Sequence, residues 1–72
     1  MNAEFTPTAC DKESYYITVG DYVAHNRKLY RVVRIFEDPS IEPPAGNTFL
    51  ELISIKNLSI LVVRDNTVEV LE

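Results

Sequence analysis

Gly20-Asp21-Tyr22-Val23-Ala24-His25-Asn26-Arg27-Lys28-Leu29-Tyr30-Arg31-Val32-Val33-Arg34-Ile35-Phe36 is the stretch whose reading decides the fold. Gly-Asp is a turn signal, and the β-prone residues that follow are interrupted once, at His25-Asn26-Arg27-Lys28. Asn tolerates the left-handed backbone that a tight hairpin needs, so Asn26 is the candidate turn residue between two antiparallel strands. The second strand, Leu29 to Phe36, is rich in β-branched and aromatic side chains.

The same pattern continues on both sides. Tyr15-Tyr16-Ile17-Thr18 is a short β-prone lead-in. Downstream, Asp38 to Asn47 holds three prolines and one glycine in ten residues, which excludes a strand or a stable helix and predicts a loop. Phe49 to Lys56 resumes the β pattern, Asn57-Leu58-Ser59 turns it, Ile60 to Arg64 is an apolar strand, and Thr67 to Leu71 a short last one. Helix is limited to a single turn around Asp65-Asn66. Closely spaced short strands predict an all-β domain, and five strands in so short a chain favour a barrel, because closure removes edges that would otherwise aggregate. Met1 to Ser14 is polar, carries Pro7 and has no period of 2 or 3.6. It is expected to be a flexible tail, with residues 15–72 forming the barrel.

The chain has 72 residues, enough for one domain with a small core. A rigid catalytic first shell with a supporting second shell is hard to build at this size, so a non-enzymatic binding role is expected. Seven Lys and Arg against eleven Asp and Glu give a net charge of −4, which disfavours generic binding to nucleic acid. One cysteine, Cys10, allows no internal disulfide, and a small secreted domain would usually be stapled. The expected setting is therefore reducing and cytoplasmic. There is no apolar stretch of membrane-spanning length, and the N-terminus lacks the order of a signal peptide.

The order Gly-Asp-x-Val, hairpin, Tyr-x-Val-x-x-Ile, variable loop, long strand, tight turn, apolar strand, short turn, Val-x-Val-Leu resembles the small SH3-like barrels of the Tudor and KOW type. Gly20, Asp21, Val23, Tyr30, Val32, Ile35, Leu52, Val62, Val68, Val70 and Leu71 carry the resemblance, which spans Val19 to Glu72. It implies a five-stranded SH3-like barrel. The first loop is four residues long and tryptophan is absent, so the proline-peptide groove of signalling SH3 domains is not implied. Small acidic barrels of this pattern also look like short accessory proteins that phages encode, which act by binding a host or virion protein.

No cofactor or metal is implied by the residues. His25 has no recognisable nucleophile or orienting carboxylate in the sequence and reads as an ordinary hairpin-end histidine. Cys10 lies beside Asp11 and Glu13, the opposite of the electropositive setting a reactive thiol needs. No Cys/His cluster has zinc-ligand spacing, and Gly20 and Gly46 are too far apart for a phosphate loop.

Two surfaces carry the functional expectation. In an up-and-down run of strands, His25, Arg27, Lys28 and Lys56 collect at one end, and Glu37, Asp38, Glu42 and Asp65 at the other. Arg31 and Arg34 add positive charge along the second strand. The second surface follows from excess apolar character. Leu50 and Leu52 fall on one face of their strand, Phe49, Ile53 and Ile55 on the other, and Ile60 to Val63 is apolar on both. One small interior cannot take them all, so some face outward, are re-aimed by a bulge, or are covered. Covers could be the tail through Phe5, Tyr15 and Tyr16, the proline loop, a second copy, or a partner. The candidate partner-binding residues are Arg27, Lys28, Arg31, Arg34, Lys56, Phe49, Ile53, Ile55 and Leu61. A protein partner is the favoured reading. A nucleic-acid-binding barrel using the basic hairpin, and a structural subunit of a larger assembly, are the alternatives, and self-association is compatible with the sequence.

Overall fold

A computed structural model describes residues 7–42 and 46–71. Its strands are β1 (Ala9–Cys10), β2 (Tyr16–Ile17), β3 (Tyr22–His25), β4 (Lys28–Glu37), β5 (Thr48–Ser54), β6 (Ile60–Arg64) and β7 (Glu69–Val70), with a 3₁₀ turn at Asp65–Thr67 between the last two. β3 to β7 form one antiparallel sheet in the order β6-β5-β4-β3-β7. An up-and-down order would set β7 beside β6. Instead the 3₁₀ turn carries the chain across, and β7 pairs with β3 through Val23↔Val70 and Ala24↔Glu69.

The turns explain the meander. His25 pairs with Lys28, and the two residues between them, Asn26 (φ 50°) and Arg27 (φ 65°), are both left-handed, the backbone of a two-residue type I′ hairpin. Before β3, Gly20 has φ +99°, and its N–H donates to the Val32 carbonyl at 2.8 Å. β5 ends at Ser54, two residues earlier than the β pattern runs. Leu58 N–H donates to the Ser54 carbonyl (3.0 Å), while the Ser54 hydroxyl accepts from the amides of Lys56 (3.2 Å) and Asn57 (3.4 Å). These bonds fold Ile55 and Lys56 into the turn.

β4 contains the one register irregularity of its pairing with β5. Val32 faces Leu52 and Arg34 faces Glu51, so Val33 is the extra residue of a β-bulge. The consequence is a change of parity. Tyr30, Val32 and Ile35 all point inward, and Arg31, Arg34 and Phe36 all point outward. A regular ten-residue strand would have put Arg31 and Arg34 on opposite faces.

The core consists of Ala9, Ile17, Val23, Tyr30, Val32, Ile35, Leu50, Leu52 and Val68, with Leu61, Val63 and Val70 packed against it. Ala9 and Ile17 come from the β1–β2 hairpin, which lies on the inner face of the sheet. The flexible tail expected over residues 1–14 is therefore corrected for its described part. Ala9 pairs with Ile17 and Cys10 with Tyr16, and Lys12 N–H donates to the Val68 carbonyl at 3.0 Å. The residue that ties it down is Asp11. Its Oδ1 accepts the amides of Glu13 (2.9 Å) and Tyr15 (2.8 Å), and its Oδ2 the amide of Val70 (2.8 Å). Burial raises the Asp11 pKa, but the three amides and the nearby Lys12 charge outweigh it and hold the carboxyl below its usual 3.8. Residues 1–6, including Phe5, lie outside the described residues, as do 43–45 of the proline loop and Glu72. Tyr15 and Tyr16, expected as covers, are 61% and 75% exposed.

Candidate functional surface

The two faces of the sheet differ sharply. The inner face is apolar and closed by the β1–β2 hairpin. The outer face is assembled from cross-strand rows of β4, β5 and β6. Arg31, Ile53 and Ile60 form one row, Arg34, Glu51 and Val62 the next, and Phe36, Phe49 and Arg64 the third. Tyr22 on β3 extends the first row beside Arg31.

Within this lattice the side chains are held by one another. The Phe36 and Phe49 rings stack with centroids 5.9 Å apart and planes 22° apart. The Arg34 guanidinium lies over Phe36 at 4.3 Å from the ring centroid, and its Nε donates to Glu51 Oε1 at 2.9 Å. Arg64 lies over Phe49 at 5.9 Å, and Arg31 over Tyr22 at 6.0 Å. A guanidinium within about 6 Å of a ring gains roughly 0.5–1 kcal/mol at an exposed site, enough to restrict its rotamers without removing it from solvent. Ile60 and Val62 stand 56% and 50% exposed at the margin of the face.

The hairpin end is a second feature, continuous with the first. Arg27, Lys28 and Leu29 line a cleft of about 530 Å³ with Ser54, Ile55, Lys56 and Asn57. The two turns are fastened by Ile55 N–H donating to the Leu29 carbonyl at 3.2 Å. Arg27, Lys28 and Lys56 are thus brought together, as the turn arrangement predicts. Six of the seven Lys and Arg residues occupy this cleft and the outer face; Lys12, which pairs with Glu69 at 3.7 Å, is the exception. At the other end Asp38 closes the loop base, its N–H donating to the Asn47 carbonyl at 2.9 Å. Its Oδ1 accepts the Ser40 hydroxyl (2.6 Å) and amide (2.9 Å), and these bonds hold its carboxyl below the usual range. His25 is a packing residue: its Nδ1 sits 3.3 Å from the Thr67 carbonyl, and its ring meets Tyr30 edge-on at 6.2 Å.

Of the residues expected at a binding surface, Phe49, Ile53, Arg31 and Arg34 meet on the outer face. Ile55 is separated from them by the turn and belongs to the basic cleft. Leu61 is corrected outright: it pairs with the fully buried Leu52 and packs against the core, and its neighbours Ile60 and Val62 are the outward residues of β6. Phe36, Arg64 and Tyr22 were not expected on this surface. For Phe36 the missing signal is the bulge, which has no marker in Val32-Val33-Arg34. For Arg64 and Tyr22 it is the alternation of their strands against known partners, which becomes readable only when the register is fixed.

Among the described residues no helix is long and apolar enough to cross a membrane. No family model, curated protein or solved structure matches the chain.

Proposed function

We propose that this protein is a non-enzymatic interaction module that docks another protein through the outer face of β4, β5 and β6, with the basic cleft setting orientation. The observation that carries the reading is the composition of that face. A solvated sheet face normally carries scattered polar residues. This one interleaves three arginines with two stacked phenylalanines, an isoleucine pair and a valine. Aromatic residues and arginine are the types enriched where proteins meet, and arginine keeps an aromatic face soluble until a partner covers it. The segregation of cations from a chain of net charge −4 favours a partner whose docking surface is acidic around an apolar centre.

The sheet is that of a small SH3-like barrel in this reading. Five short strands in the order β6-β5-β4-β3-β7, with a single 3₁₀ turn bringing the last strand back to the first of the meander, support it. A cytoplasmic accessory protein of the phage type, binding a host or assembly protein, is the setting in which such a module would work.

A photo-crosslinking residue placed at position 53 should capture the partner, and the same residue at position 16, on the exposed side of the β1–β2 hairpin, should not. Capture from position 16 alone would overturn the choice of face. The alternative reading, a nucleic-acid-binding surface, is favoured by one observation: the aromatic rings are flanked by guanidinium groups, as in sequence-tolerant single-strand binding. Binding to single-stranded DNA or RNA that weakens steeply with salt would support it, and no binding at low salt would remove it.

A further inference from the structure

Among the described residues the sheet has an unpaired edge. β6 lies at the end of the strand order, and among the described residues nothing bonds to its far side except the Thr67 hydroxyl, which donates to the Arg64 carbonyl at 2.7 Å. Ser54 N–H donates to the Ser59 carbonyl at 2.8 Å. Antiparallel alternation then directs the amides of Leu61 and Val63 to β5 and those of Ile60, Val62 and Arg64 to the open edge. Natural edges are blunted by charge, proline, a bulge or very short length. β6 is Ile-Leu-Val-Val-Arg, regular over five residues, with its one charge at the end. The opposite edge, β7, is two residues long and needs no such protection.

We propose that the open edge of β6 pairs antiparallel with the β6 edge of a second copy of this chain, centred on Val62. This register is the one in which all five residues of each strand overlap, and it directs outward amides at outward carbonyls throughout. Val62 lies opposite Val62 of the second copy, Ile60 opposite Arg64, and Leu61 opposite Val63. Every inward-facing pair across the seam is apolar. Leu61 and Val63, only partly buried in one chain, would complete each other's cover. The charges also fit. The two Arg64 residues fall at opposite ends of the seam, four residues apart along the strand direction, or about 14 Å at the strand rise, beyond the ~8 Å screening length at physiological salt. No carboxylate lies on β6 to oppose one on the other copy. The two outer faces then become one continuous surface, so the association goes beyond the docking reading and does not depend on it.

Light scattering over a concentration series, with amide hydrogen exchange read at Ile60 and Val62, tests the pairing. A dimer is expected in which these two amides are protected in proportion to the dimer fraction, while Tyr22 and Phe49 side-chain environments stay unchanged. Val62→Lys puts a charge on both sides of the seam centre and is expected to weaken dimerisation at least tenfold. Its circular dichroism should match wild type, because the position is half exposed in one chain, and its melting should match that of wild type diluted to monomer. Three results would overturn the proposal: a monomer with fast-exchanging Val62 at every concentration, a dimer whose Val62 amide stays unprotected, or a monomer in which that amide is protected.

Discussion

Asp11 is the residue on which the N-terminal segment depends. A nearly fully buried carboxylate that accepts three backbone amides from three different positions joins β1, the following turn and β7. Asp11→Ala leaves those part-buried donors without their acceptor and should destabilise the fold by about 3 kcal/mol, measured by urea denaturation. The pH dependence has a definite sign. The folded pKa of Asp11 is lowered, so the unfolded chain binds more protons in the window between the folded value and 3.8. The contribution is complete above that window and is lost as pH falls through the folded pKa. Wild type should therefore lose more stability than Asp11→Ala between pH 6 and pH 3. Arg27 is a second informative residue. It holds φ 65° in the hairpin, where a side chain is strained and glycine is not. Arg27→Gly should raise stability by about 0.5 kcal/mol in thermal denaturation while removing one charge from the basic cleft. Asn26 was legible as a turn residue from its type alone. The anchoring role of Asp11 was not, because its partners lie up to 59 positions away and nothing local distinguishes it from a solvated acid.

Strands β3 to β6 could be read from β-propensity and turn residues, with ends displaced by at most two positions and those of β6 not at all. What alternation could not supply was the facing of each strand. β6 reads as apolar on both sides, so Leu61 and Ile60 are equivalent until the pairing Leu52↔Leu61 separates them. The two now make opposite predictions. Leu61→Glu places a carboxylate against Leu52 and should cost about 3 kcal/mol or prevent folding, whereas Ile60→Glu should change stability by less than about 1 kcal/mol. Equal effects in chemical denaturation would contradict the assigned register. The bulge at Val33 belongs to the same scale. It bends β4, and it is the reason both arginines of this strand lie on the outer face, an arrangement that a period of 2 excludes.

For the whole molecule, net charge is a poor guide to the surface. A value of −4 suggests an acidic protein, yet six of seven cations gather on the outer face and the adjoining cleft. Among the described residues the carboxylates lie mainly along the N-terminal hairpin, β7 and the far loops, and Glu51, which stands among the cations, is bonded to Arg34. Clustering of the basic turns was legible because strand order fixes which turns are neighbours. The aromatic–arginine lattice was not, because it is assembled from three strands whose registers the sequence leaves open. In the proposed function this face holds a protein partner. Parallel purification from the native source of tagged wild type and of a folded Ile53→Glu/Arg64→Glu variant tests it most directly. The expected result is a stoichiometric protein that accompanies wild type and is lost from the variant. Recovery of the same protein in equal amount with both would contradict it.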